Sequence, residues 1–273
     1  MREFWQARSK PLYLWHNCPP RRYANLVRHV RNWGSYLAWK WRKGPATETF
    51  EVVLRNGYRL TLNRANRVEF KVVFLREDYT WPIARGDVGD GAIIDLGANV
   101  GFFTIFAAQV FPGRRIISVE PFPRNLRALT ASVQANHVPH CTIVNAAVAG
   151  ASGRVVFGSE SGEENPTGAR IDSVHAADGK DFFECRSLTL EDLFREQAIE
   201  SAALVKMDIE GAEYDCLYGA SDAVLKKIRH LAMETEDLDT NRRNTAALAA
   251  FLISKGFRVR EVTPQMLHAS RVN

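Results

Sequence analysis

The stretch Ile93-Ile94-Asp95-Leu96-Gly97-Ala98-Asn99-Val100-Gly101-Phe102-Phe103-Thr104 constrains this chain more than any other. An apolar run ends in an acid, turns through two glycines and reopens as an apolar segment, which is the junction of a buried strand with a helix. Small residues in such a turn let a ligand approach the main chain at a helix N-terminus. Nineteen residues beyond Gly101, the run Ile116-Ile117-Ser118-Val119 ends in Glu120. An acid at the end of a second strand suits bidentate hydrogen bonding of ribose hydroxyls, so a nucleoside ligand is implied. A nicotinamide dinucleotide would need glycine at the second position of the turn, where its pyrophosphate lies against the backbone. Counting from Gly97, that position is Asn99 and the third is Phe102, so the dinucleotide fingerprint fails. What remains is a ligand with a ribose and a positively charged tail but no phosphates, with Asp95 near the cationic end. S-adenosylmethionine fits that description.

From Gly91 onward, short apolar runs alternate with helical segments, the mark of a mostly parallel sheet with crossover helices. The pattern predicts strands over Ala92–Leu96, Arg115–Glu120, Cys141–Val148, Leu204–Ile209, His230–Glu234 and Phe257–Val262. The helices predicted are Phe103–Val110, Arg124–Asn136, Tyr214–Lys226 and Thr245–Lys255. Residues 150–190 break the alternation: Gly150–Gly168 is rich in Gly, Ser and Glu, while Arg154–Phe157 and Phe182–Arg186 could pair as strands. This reads as an insertion over the C-terminal edge of the sheet, where open α/β sheets bind their ligands. Before the core, Phe50–Leu54 and Tyr58–Leu62 flank Asn56-Gly57, a strong hairpin signal. Residues 67–79 suggest a short helix that Trp81-Pro82 interrupts. Three divisions follow: a basic extension over 1–45, a hairpin and helix over 46–86, and a ligand-binding domain over 87–273.

The net charge of +5 is unevenly spread. Residues 1–45 hold ten Lys or Arg against the single acid Glu3, giving +9, so the remainder carries −4. Five of the six tryptophans, Trp5, Trp15, Trp33, Trp39 and Trp41, fall there too. Apolar residues recur at helical spacing from Tyr23 to Trp41, which predicts one amphipathic helix. Such a helix fits three roles: packing on the body or on a second copy of the chain, peripheral contact with a membrane, or nucleic-acid binding. Nucleic acid ranks last because the body is acidic and lacks a second basic element. Composition near globular averages excludes disorder. With no long apolar run and no apolar leader, a cytoplasmic location is expected, possible membrane contact being with its cytoplasmic face. Cys18, Cys141, Cys185 and Cys216 form no C-x-x-C pair, and reduced thiols are expected rather than disulfides or structural zinc.

The sequence resembles the FkbM-type class I S-adenosylmethionine-dependent methyltransferases. Asp95-Leu-Gly-Ala-Asn-Val-Gly101 is similar to the family's first motif, Val119-Glu120-Pro121-Phe122-Pro123-Arg124-Asn125 to its second, and Lys206-Met-Asp-Ile-Glu-Gly-Ala-Glu213 to its K-x-D-x-E-G-A-E signature. Leu188-Thr189-Leu190-Glu191-Asp192-Leu193 resembles a T-L-D-x-L segment, with Glu191 in place of the usual Asp. The resemblance covers about Asp87 to Thr235 and leaves the first 45 residues out. It implies a Rossmann-like class I methyltransferase fold, an α/β architecture with a mostly parallel sheet and helices on both faces, preceded here by the helical and hairpin extension. It implies that Gly97, Asn99 and Gly101 hold the amino-acid end of the cofactor, with Asp95 nearby, and that Glu120 holds the ribose. Thr104, Pro121 and Asn125 are further candidate cofactor-binding residues, and residues near Asn145–Ala147, Ala147 among them, would border the adenine.

For the chemistry, Asp208 emerges at the sheet's C-terminal edge and Glu234 ends a strand expected beside it. Methyl transfer to an alcohol needs the acceptor oxygen oriented and deprotonated. Asp208, Glu210 and Glu234 are the candidate catalytic residues, Asp208 foremost. One carboxylate could act as base, or Asp208 and Glu234 could ligate a divalent cation such as Mg²⁺; spacing leaves both open. Glu213 reads as a helix-terminus acid, Lys206 as an ion-pair partner, and His137, His175 and His230 have no supporting pattern. The reading that follows is O-methylation of a hydroxyl on a sugar, glycan or secondary metabolite. N-methylation, or a non-catalytic nucleoside-binding or membrane-associated module, is the alternative.

Overall fold

A computed structural model describes residues 18–81, 83, 88–158, 182–263 and 265–271. His175, much of the 150–190 segment, Pro82 and the tryptophans before Cys18 lie outside the described residues. A seven-stranded sheet organises the molecule. In order across the sheet it comprises β11 (Phe257–Thr263), β12 (Met266–Arg271), β10 (Ile228–Glu234), β9 (Ala202–Met207), β3 (Ala92–Leu96), β4 (Ile116–Val119) and β5 (Cys141–Val144). The run from β10 to β5 is parallel, and β12 joins β10 and β11 antiparallel. This is the α/β sheet that the alternating pattern predicted. β3 is buried at all five positions, as befits a central strand covered on both faces.

Neighbouring positions along β3 serve opposite layers. Ile94 and Leu96 pack with α6 (Leu190–Glu196), α7 (Glu213–Gly219) and α9 (Thr245–Ser254), whereas Ile93 faces α4 (Phe102–Val110). The second layer also contains Leu26, Val30, Tyr36, Trp39 and Phe70. The N-terminal segment is thus built into one face of the sheet rather than appended to it. It comprises α1 (Pro19–His29), α2 (Trp33–Trp41), a hairpin of β1 (Phe50–Val53) and β2 (Arg59–Leu62), and α3 (Arg67–Phe70), which runs on as a π-helical turn over Lys71–Arg76.

Besides shifts of about two residues, β9 ending at Met207 instead of Ile209 among them, four features differ from the sequence reading. The single helix over Tyr23–Trp41 is two, because Val30 turns extended to bridge Leu54 while Arg31 donates its amide to the Val53 carbonyl. Asn32 fixes the break, donating to the Glu51 carbonyl and accepting from the Val53 amide. The strand over Cys141–Val148 divides after Val144: β5 ends the main sheet, and β6 (Ala147–Val148) joins β8 (Phe182–Leu188) and β7 (Gly153–Gly158) in a separate three-stranded sheet. The helix over Tyr214–Lys226 is also two, since Ala220 is extended and Ser221 caps α8 (Asp222–Lys226) through the Val224 amide. Lastly, β12 was not anticipated, and it separates β11 from β10.

Candidate functional site

The site lies at the C-terminal edge of β3, β4, β9 and β10. The turn after β3 is anchored to neighbouring strands, the amides of Gly97 and Ala98 both donating to the Val119 carbonyl at 3.0 Å. Gly97 has φ +73°, and a Cβ there would lie 1.9 Å from the Asp208 carbonyl oxygen. Gly101 has φ +91°, and its Cβ would meet Leu129 Cδ1 at 2.7 Å. Gly97 is therefore required by the packing of the chain on itself, whatever the turn binds, while at Gly101 the left-handed backbone and the Leu129 side chain favour glycine. Between them Asn99 is left-handed, with φ 49°. Its amide donates to Glu120 Oε2 at 2.7 Å, and the Phe122 amide donates to Glu120 Oε1 at 3.0 Å. Asn125 adds a longer bond to the same oxygen at 3.4 Å. Burial raises the proton affinity of Glu120, and these donors oppose the rise.

Beneath the turn, Lys206 is buried and central. Its ammonium lies 3.1 Å from Asp95 Oδ1 and 3.8 Å from Asp208 Oδ2, and it donates to the Gly97 carbonyl at 2.6 Å. Burial disfavours its charge, but Asp95, Asp208 and Glu69 outweigh that and raise its pKa. Asp95 has no exposed surface and accepts from the Thr104 hydroxyl at 2.7 Å, while Thr104 also shares a bond with Ser118. Thr104 thus stands under Asp95 and holds it, away from the open edge. Pro121 is half-buried beside Glu120. Ala147 belongs to a small apolar patch with Phe157 and Cys185, against which Phe122 and Phe183 pack.

The pairing of β9 with β10, Met207 opposite Met233, carries Asp208 and Glu234 out of the sheet side by side. Desolvation, then the charges of Asp208 and Glu210, push Glu234 up to about 7. Glu210 sits in the following loop with φ 55°. Glu213 is buried and accepts the Ile209 amide at 2.8 Å, closing that loop; burial pushes it up to about 7. His137 is exposed in a turn, and His230 is buried against the Ser270 hydroxyl at 2.8 Å.

Two residues absent from the sequence reading complete the site. Tyr79 is buried and donates its hydroxyl to Asp208 Oδ2 at 2.9 Å, and burial together with the charges of Asp208 and Glu234 lifts its pKa well above the ordinary value. Glu69, from α3, accepts from the Asn99 side chain at 3.3 Å. Burial, then the charges of Asp208, Asp95 and Glu120 working against that of Lys206, push it up to about 8. No motif marks either residue. Only the hydrophobic pattern that docks α3 on the sheet could have hinted at them. Five carboxylates, Glu69, Asp95, Glu120, Asp208 and Glu234, therefore surround one lysine. Among the described residues, no group of three His, Cys, Asp or Glu is arranged to hold a metal ion.

This acidic balance suits a cationic sulfonium cofactor and opposes a phosphate-bearing one. A family model described as the methyltransferase FkbM domain matches residues 95–259. The AMB antimetabolite synthetase AmbE of Pseudomonas aeruginosa is 25% identical in an alignment of 223 positions that covers 68% of this chain but only a tenth of that protein. The 31-O-demethyl-FK506 methyltransferase FkbM of Streptomyces tacrolimicus is 28% identical over 181 residues, 56% of this chain and 67% of that protein. The methyltransferase sdnD of Sordaria araneosa is 26% identical over 230 residues, 73% and 86% of the two chains. Among solved structures, magnesium protoporphyrin IX methyltransferase of Synechocystis PCC 6803 aligns with a TM-score of 0.46 at 11% identity, over 92% of this chain and 97% of that one.

Proposed function

The chain belongs to the FkbM methyltransferase family, and from that premise we propose that it transfers a methyl group from S-adenosylmethionine to a hydroxyl oxygen of a small molecule or glycan. When bound, S-adenosylmethionine supplies the electrophilic methyl group. The residues present fit it: Glu120 Oε1 takes the Phe122 amide and the longer Asn125 bond while Oε2 takes only the Asn99 amide, which leaves Oε2 able to accept from a ribose hydroxyl, and the acidic surround favours a positive charge. The turn over 97–101 would hold the amino-acid end, and the patch around Ala147, Phe122 and Phe157 the adenine.

The observation that carries the reading is the placement of Asp208 and Glu234 together at the sheet edge, with the Asp208 main chain packed on Gly97. Tyr79 and Lys206 fix Asp208 as an acceptor for the substrate hydroxyl. Glu234, with a proton affinity near neutrality, takes the hydroxyl proton.

Methyl transfer from labelled cofactor to a panel of polyols and amines tests this. The wild type should form an ether, with kcat rising as pH passes about 7. Glu234→Gln should lose that rise and on the order of 10²–10⁴ in rate, the usual worth of a positioned base. Asp208→Asn should lower kcat with cofactor affinity little changed. Full turnover by both variants would end the assignment, and an N-methyl product would replace it with amine chemistry.

A further inference from the structure

Helix α2 carries aromatic side chains on two faces, and the fold accounts for one of them. On the inner face Tyr36 and Trp39 are buried; Tyr36 packs on Phe70 at 5.3 Å between ring centroids and Trp39 stacks on Phe50 at 5.4 Å. On the outer face Trp33, Leu37 and Trp41 recur every fourth residue and meet Tyr23, Leu26 and Val27 of α1 along a groove of about 350 Å³. Trp41 is 67% exposed, and Trp33 and Val27 are each 40% exposed. Single exposed apolar side chains are ordinary, but several gathered along one groove mark an interaction surface.

Cations border this groove. Of the seven Lys or Arg between Cys18 and Thr47, Arg21 pairs with Glu77, Arg42 pairs with Glu48 and Arg28 lines a separate pocket, so the charge at the groove comes from Lys40 and the cations around it. The Lys40 ammonium sits over the Tyr23 ring at 5.7 Å, which ties the charge directly to the groove. The π-helical turn that Lys71 opens packs on α1, and partial burial, then the charges of Arg22, Arg67 and Lys71, hold Lys40 below its ordinary pKa. Such a gathering of like charge calls for an anionic counterpart.

We propose that this groove docks the chain on an anionic lipid bilayer, with Trp33 and Trp41 at the head-group level and Arg22, Lys40, Arg67 and Lys71 against the charged head groups. Apolar burial combined with attraction to anionic lipids is the requirement for interfacial binding, and aromatic rings with an amphipathic edge suit that boundary. No helix among the described residues is long and apolar enough to cross a membrane, so the contact is with the surface. A second copy of the chain fits less well, because an isologous contact would bring two equal positive rims together. Nucleic acid fits less well, because the groove floor is apolar rather than a polar track for a backbone.

Co-sedimentation of the full chain with phosphatidylcholine vesicles, with and without phosphatidylglycerol, tests the proposal. Removal of the first 46 residues is avoided because Leu26, Val30, Tyr36 and Trp39 belong to the core. The wild type should pellet with the anionic vesicles only, and added salt should release it. Trp33→Ser combined with Trp41→Ser, and separately Lys40→Glu with Lys71→Glu, should each weaken binding by about tenfold or more, with the melting temperature and far-ultraviolet circular dichroism unchanged. The wild-type comparison needs no variant and stands if one misfolds. Failure of the wild type to pellet, or equal pelleting by folded variants, overturns the proposal. So does a concentration-dependent dimer that Trp41→Ser breaks without any lipid binding, or retention of an oligonucleotide in its place.

Discussion

At Gly97 a single hydrogen atom separates a working turn from a broken one. A methyl group there would fall 1.9 Å from the main-chain oxygen of Asp208, which has no room to retreat without moving the loop after β9. At Gly101 the obstacle is Leu129 Cδ1, the end of a side chain that can rotate. Gly97→Ala should therefore destabilise the protein far more than Gly101→Ala, although both pay the ~1–2 kcal/mol of a left-handed backbone. Thermal melts of the two variants decide this, and a larger loss at Gly101 would refute the packing account. The motif itself was legible in the sequence, as was the acid at Glu120. The packing demand at Gly97 was not, because Asp208 lies 111 residues further along the chain and only the parallel pairing of β3 with β9 brings it over the turn.

At the scale of elements, periodicity reported what each segment buries but not where the chain must bend to bury it. The apolar spacing from Tyr23 to Trp41 is continuous, yet Val30 leaves the helix to meet Leu54. The amide side chain of Asn32, donor and acceptor at once, closes that join to the hairpin. Asn32→Ala should cost about 1–3 kcal/mol, the range for losing two hydrogen bonds to main chain near the surface. The loss should appear as a lower denaturation midpoint with an unchanged slope; no change would mean that the Val30 bridge suffices alone. β12 escaped the sequence reading for a related reason. It is a lone antiparallel strand within an otherwise parallel pattern, and only Pro264-Gln265 before Met266 announces the reversal.

For the molecule as a whole, the crowding of partly desolvated acids has a thermodynamic sign. Glu69, Glu213 and Glu234 bind protons more tightly folded than unfolded, with pKa values pushed to about 8, about 7 and about 7 from an ordinary 4.5. Between those limits the folded state holds more protons, so stability is greatest toward mild acid and declines as pH rises through 7 to 8. The melting temperature of the ligand-free protein should therefore fall from about pH 5.5 to about pH 8.5. Glu69→Gln should raise it at the alkaline end by roughly 2–4 °C, as ~1 kcal/mol does in a chain of this size, with little effect at the acid end. A flat profile would show that these carboxylates are ionised at no cost.

Glu69 and Tyr79 both precede residue 95, where the match to the methyltransferase domain begins, yet one bonds Asn99 and the other Asp208. The matched stretch is consequently not a portable cassette. A graft cut at its borders would carry the turn, Glu120 and the paired carboxylates, but would leave behind one wall of its own site.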